Sequence, residues 1–153
     1  MNRAVFNSSC LIGLERIQQL DLLPQVFSVI LIPEAVRQEV GLEADWLTVQ
    51  AVNNRSLVRA LQAEVDDGEA EAIALALELD DGVITVLDDQ KARRLAKRLG
   101  LHLMGTVGVL LRAKRQGAIA QIKPILDALL QADFRISAAI VRKALELAGE
   151  AQL

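Results

Sequence analysis

The stretch V-I-T-V-L-D-D-Q-K-A-R-R-L-A-K-R, Val83 to Arg98, decides the fold. Val83 to Leu87 is apolar apart from Thr85 and rich in β-branched side chains, the composition of a strand covered on both faces. Such a strand belongs at the centre of a parallel sheet. Asp88 and Asp89 stand at its exit, and Lys91 to Arg98 then carries five bases and no acid. Two carboxylates at the end of a buried strand, followed at once by a cationic run, pair a candidate metal site with a surface for a polyanion. A helix is expected over Asp89 to Leu99, with Gly100 as its carboxyl-terminal stop.

On both sides of this unit the chain alternates short apolar runs with helical periods. Strands are expected at Arg3 to Phe6, Ser28 to Ile32, Leu47 to Val52 as an edge strand, and Leu101 to Met104. Ser8 or Ser9 can cap a helix carrying Leu11, Leu14 and Ile17 at helical spacing, and Asp21 can open a short turn through Val26. Pro33 suits the first turn of a helix that Gly41 stops, and Ser56 to Val65 reads as another. D-D-G-E at Asp66 to Glu69 marks the break before a helix whose Ala72, Ile73, Ala76 and Leu77 form an apolar face, closed by Asp80, Asp81 and Gly82. Further helices are expected from Gly105-Thr106 to Gln116, around Ile122 to Gln131, and over Ser137 to Ala148. Parallel neighbours need crossover connections, so this alternation implies helices on both sides of the sheet. The expected architecture is an α/β three-layer α/β/α sandwich with a mostly parallel central sheet. It forms one domain over residues 1–153, the carboxyl-terminal helices from about residue 122 included.

A chain of 153 residues can bury about two-thirds of its unfolded surface around one core. With 52% hydrophobic but only 3% aromatic residues and no Tyr, that core must be built from Leu, Ile, Val and Ala. Cys10 is the sole cysteine, which excludes an internal disulfide, and no apolar run approaches the roughly 20 residues that span a bilayer. With no charged leader before an apolar segment, a cytoplasmic protein without membrane contact is expected. The net charge of −3 argues against a general nucleic-acid binder, but the charges are segregated. Glu64 to Asp81 holds eight acids and no base, set against the basic run that follows. The high apolar fraction and the two Leu- and Ala-rich terminal helices point to self-association, as a homodimer.

In open parallel sheets ligands sit beyond the carboxyl ends of the strands, where strand order reverses. Asn7 follows the first strand, Asp88 and Asp89 the fourth, and Gly105-Thr106 the fifth. Glu39, on the helix after the second strand, and Glu69, at the start of the helix before the fourth, are compatible with the same edge. Hard oxygen donors of this kind suit magnesium or manganese rather than zinc.

Five blocks carry a family resemblance: F-N-S-S-C-L-I-G-L (Phe6 to Leu14), L-I-P-E-A-V-R-Q-E-V (Leu31 to Val40), G-E-A-E-A-I-A-L-A (Gly68 to Ala76), V-L-D-D-Q-K-A-R-R-L-A (Val86 to Ala96) and G-T-V-G-V-L-L-R-A-K-R-Q-G (Gly105 to Gly117). In this order they resemble a PIN-domain-like family of prokaryotic proteins. The resemblance implies an acidic cluster that holds magnesium or manganese and hydrolyses RNA phosphodiesters. It also implies a toxin of a toxin–antitoxin pair, restrained by a small cognate antitoxin. By motif, the family's four acids fall on Asn7, Glu39, Glu69 and Asp89, with Asp88 beside the last. Glu39, Glu69, Asp88 and Asp89 are thus the expected catalytic residues, and Asn7, Glu39, Glu69 and Asp89 the expected metal ligands. Gly105 and Thr106 fall where a phosphate contact is expected, and Arg93, Arg94, Lys97, Arg98, Arg112, Lys114 and Arg115 could track an RNA backbone. Asn7 departs from the family's pattern: an amide oxygen can ligate a metal but brings no negative charge. Cys10 stands where the family often has Pro.

Plainer roles compete at several positions. Glu69 and Glu71 also fit helix amino-terminal charges, and Asp88 or Asp89 fits a helix cap. His102, Trp46 and Cys10 read as structural. Two functions remain open: a metal-dependent ribonuclease, or a PIN-like RNA- or protein-binding module whose metal site has decayed at Asn7. A nucleotide-binding α/β protein is disfavoured, because no G-x-G-x-x-G or Walker-type loop follows the first strand.

Overall fold

A computed structural model describes residues 2–79 and 82–151. Five strands, β1 (Arg3–Phe6), β2 (Val29–Ile32), β3 (Leu47–Val49), β4 (Ile84–Val86) and β5 (His102–Met104), form one all-parallel sheet in the order β3-β2-β1-β4-β5. The chain runs outward from β1 through β2 to β3, then returns to place β4 on the other side of β1. Strand order therefore reverses between β1 and β4, which opens a crevice at their carboxyl ends. The Val83 to Leu87 run lies inside the sheet as its composition demands, buried throughout. The strand at Leu47 does lie at the edge, and stops at Val49.

Helices α1 (Ser8–Arg16), α2 (Leu23–Val26), α3 (Glu34–Val40), α7 (Thr106–Arg115), α8 (Lys123–Gln131) and α9 (Ala138–Leu147) pack with Ala4, Phe6, Ile30, Ile32, Ile84 and Val86. Helices α4 (Arg55–Leu61), α5 (Asp67–Glu78) and α6 (Gln90–Arg98) cover the other face, against Val5, Leu31, Val83 and Leu87. The alternation along β1 and β2 divides these side chains between two cores, and the result is the expected α/β/α sandwich. Among the described residues no helix is long and apolar enough to cross a membrane.

Helix α5 differs from the one-faced helix the pattern implied. Gly68 to Ala76 are all buried, so this helix is enclosed on every side. Its alternating alanines make that possible by letting α3, α4 and the sheet approach its backbone closely. Asp80 and Asp81, expected to close it, lie outside the described residues. At the other end, Asp66 accepts from the Glu69 amide at 2.8 Å, and the Glu69 carboxylate accepts from the Asp66 amide at 3.2 Å, a reciprocal capping box. The amino terminus of α1 is built differently: Ser8 is already its first residue and Asn7 occupies the cap position.

Candidate active site

Asn7 leaves β1 at the switch point, its amide donating to Val86 O at 3.0 Å. Asparagine is among the strongest helix caps because its side-chain oxygen accepts from a first-turn amide. Here no such bond forms, although the backbone is extended as a cap requires (φ −80°, ψ 174°). Oδ1 is instead buried without a hydrogen-bond partner. It faces Gly68 in the first turn of α5, where Glu39 from α3 arrives as well. A Cβ added to Gly68 would lie 2.0 Å from Glu39 Oε1 and 3.3 Å from Asn7 Oδ1. Two acceptor oxygens from different elements thus converge over a residue that has no side chain.

The other Glu39 oxygen, Oε2, accepts from Ser8 Oγ at 3.1 Å. An open hollow of about 610 Å³ adjoins this carboxylate, lined by Gln38, Asp66, Asp67 and Gly68 among others. Burial raises the Glu39 pKa against the opposing Ser8 bond, and the charges of Asp66 and Asp67 add to the rise. Acids gathered this way stabilise one another's protonated forms until a cation arrives.

Glu69 is buried, and its carboxyl is pushed up to about 7. Burial is the main cause; the backbone bond from Asp66 opposes it, and the charges of Asp66 and Asp89 reinforce it. Glu69 is therefore close enough to Asp89 to feel its charge. Asp89 itself is exposed and caps α6, accepting from the Ala92 amide at 2.9 Å.

Asp88 faces another way. Its Oδ1 accepts from the Thr106 amide at 2.8 Å, and Oδ2 accepts from Thr106 Oγ1 at 2.7 Å and Ser9 Oγ at 2.9 Å. The two Thr106 donors expected to meet a phosphate are therefore already engaged by this carboxylate. A Cβ on Gly105 would come within 3.0 Å of Asp88 Oδ1 and 3.4 Å of Arg93 Nη1. Arg93 is anchored in turn, donating from Nη1 to Leu87 O at 2.7 Å. Cys10 lies buried beneath, and burial with the Asp88 charge pushes its thiol far up, leaving it protonated and unreactive.

Glu71 has a structural role. It accepts from the Ala35 amide at 3.0 Å, one of the free donors at the start of α3, and pairs with Arg55 Nη2 at 3.0 Å. The carboxylate thereby ties α5 to α3 and α4.

The seven expected RNA-tracking cations separate into two groups. Arg94, Lys97 and Arg98 project into solvent from α6; with Lys91 they border a hollow of about 640 Å³, where Arg98 approaches Glu64 at 3.9 Å. Arg115 is exposed at the end of α7, and Arg93 is half-buried. Arg112 and Lys114 are held within the protein. Arg112 donates to Asn2 Oδ1 and lies 5.3 Å from the centroid of the Phe27 ring. Lys114 pairs at 2.9 Å with Glu150, whose carboxylate also caps the amides of Ile122 and Lys123 at the start of α8. The free cationic surface is thus narrower than the sequence implies, because Arg93, Arg112 and Lys114 are engaged within the protein by Leu87 O, Asn2 and Glu150.

Three contributors escaped the sequence reading: the hydroxyls of Ser8 and Ser9, which read as caps, and Gly68, which read as part of a break. A glycine in the second position of a helix that needs no turn there was the available signal.

An all-parallel sheet with oxygen-bearing side chains gathered at its β1/β4 switch point defines a doubly wound α/β domain with its candidate site at that point. A family model described as DUF3368, a PIN domain, matches residues 3–150, and the chain belongs to this PIN-domain family. No curated protein matches the chain. PIN domains generally use divalent metals. Among the described residues no group of three or more His, Cys, Asp or Glu side chains is placed to hold an ion. The unpaired Asn7 Oδ1 and the adjacent Glu39 carboxylate nevertheless supply two hard oxygen donors at one place. Magnesium typically takes one or two carboxylates and completes its shell with water and substrate phosphate. These residues fit one such ion, with further negative charge from Asp66 and Asp67 beside Glu39.

Proposed function

We propose that the protein is a metal-dependent endoribonuclease, the toxin component of a toxin–antitoxin pair. The observation that carries this reading is the buried Asn7 Oδ1, unpaired and turned from its capping role toward the carboxylate of Glu39. Asn7 and Glu39 would hold magnesium or manganese, with Glu69 and Asp89 completing the field of negative charge. When bound, the ion supplies positive charge that polarises a phosphate and eases deprotonation of a nearby water.

The chain's own groups supply the remaining functions. Glu69, with a carboxyl pKa near neutrality, can take a proton from the attacking water and return one to the leaving oxygen. Asp88 acts by position: it locks Ser9 and Thr106 together and so fixes the amino terminus of α1 against that of α7. Arg94, Lys97 and Arg98, with Arg93 and Arg115 to either side, would draw in single-stranded RNA. Scarce aromatic side chains imply contact through phosphates rather than stacked bases.

A cleft of about 850 Å³ begins at Asp88, Arg93 and Gly105 and passes between α7 and α9. Its apolar floor, including Leu103, Leu111 and Ile140, and its cations Arg115 and Arg135 suit an acidic amphipathic segment, which supports restraint by a small antitoxin. Large apolar side chains left exposed on the terminal helices, Leu130 and Leu147, support a homodimer, to be checked by sedimentation of the isolated protein.

A second reading rests on the neutral Asn7 and the absence of a three-acid cluster among the described residues: a binding module for RNA or a protein, without turnover. The deciding experiment measures cleavage of single-stranded RNA in manganese, with Glu39→Gln as control. Cleavage lost on chelation and in Glu39→Gln supports the nuclease. RNA binding with no cleavage at any manganese concentration leaves the binding module.

A further inference from the structure

Gly68 occupies the second position of α5 and does not have the positive φ that calls for glycine. Any L-residue could adopt its backbone, and glycine is the costliest ordinary choice in a helix. Its neighbours supply a reason for its presence. The nearest atom to a methyl group placed on its Cα is Glu39 Oε1 at 2.0 Å, followed by Glu39 Cδ at 3.2 Å and Asn7 Oδ1 at 3.3 Å. All three are side-chain atoms of the two residues assigned to the metal. The clash falls on the end of a flexible Glu side chain, so the carboxylate would move while the helix stayed in place.

We propose that Gly68 is a positioning residue, its missing side chain holding open the space in which Glu39 reaches Asn7. This rests on the metal reading given above. The sequence segment G-E-A-E then has three separate duties: Gly68 clears the site, Glu69 closes the capping box, and Glu71 braces α3 and α4. Helix propensity alone would place alanine at position 68.

The test compares Gly68→Ala with the wild type in two measurements: the melting temperature without metal, and manganese affinity from the electron paramagnetic resonance of the free ion. The metal-free variant is expected to melt at the wild-type temperature or about 2 °C higher, because alanine favours the helix. Its manganese affinity is expected to fall by about tenfold or more, the usual cost of disturbing a group that orients a ligand. Glu39→Asp, one methylene shorter, should weaken binding in the wild-type background yet cost much less when combined with Gly68→Ala, since it withdraws the carboxylate from the added methyl. Equal manganese affinity in wild type and Gly68→Ala overturns the inference alone. A lowered melting temperature with unchanged affinity overturns it too, and makes Gly68 a packing residue. No manganese binding by the wild type overturns the metal reading, and this inference with it.

Discussion

Ser8 and Ser9 are consecutive residues in the first turn of α1, yet their hydroxyls bind different carboxylates, Ser8 that of Glu39 and Ser9 that of Asp88. The amino terminus of α1 thus lies between two acids from opposite sides of the switch point. With Asn7 released from capping, the positive end of the helix dipole and two hydroxyls serve the acids instead. The arrangement divides their roles: Glu39 keeps one oxygen over Gly68, while both oxygens of Asp88 are engaged.

Asn7→Asp separates the two functional readings. A new carboxylate beside Glu39 places like charges together, so the metal-free variant should melt below the wild type. Manganese should reverse that order, because the added charge faces a divalent ion, and RNA cleavage should rise. Melting curves with and without manganese, run beside the cleavage assay, check both signs. A binding module would show no gain in either.

Glu69 should impose a pH dependence on metal-free stability. Its folded pKa of about 7 lies above the ordinary 4.5, so between those values the folded chain binds more protons than the unfolded one. Stability from this group is therefore fully present below about pH 4.5 and is lost as the pH rises through 7. Urea denaturation at pH 5, 6 and 7 should show wild type losing about 1 kcal/mol per pH unit more than Glu69→Gln. Parallel lines for the two proteins would refute the shift.

Glu71→Ala should destabilise the fold by about 2 kcal/mol, since it leaves the Ala35 amide without its acceptor and Arg55 without its partner. Glu71→Gln, which keeps an acceptor, should cost less. Denaturant midpoints provide the measurement, and manganese affinity should stay at the wild-type value in both variants.

Arg94→Ala combined with Lys97→Ala should weaken RNA binding and flatten its salt dependence. Two phosphate contacts to a single strand correspond to a change of about 1.4 in the slope of log affinity against log salt. Lys114→Ala makes the contrast: its loss should loosen the terminal helices held through Glu150 and leave the slope unchanged. Fluorescence anisotropy across a salt series would distinguish them.

Local signals in the sequence determined the sheet, its parallel sense and most helix boundaries. The Val83 to Leu87 run, the β-branched second strand and the glycines at 41, 100 and 117 each act through neighbours in the chain, where composition and backbone conformation speak directly. The sequence also placed Asn7, Glu39, Glu69, Asp88 and Asp89 near one edge, because strand ends and helix starts in a parallel sheet share that edge. Only the tertiary structure decided what each side chain does there. Asp88 and Asp89 are adjacent and chemically identical, yet one staples α1 to α7 while the other caps α6, since successive residues leaving a strand point to different sides. Lys114 and Arg115 divide in the same way, one bound to Glu150 and the other in solvent. Gly68 shows its purpose only once α3 carries Glu39 across to it, 29 positions away in the chain. Contacts of that kind depend on the packing of distant elements, which no local pattern records.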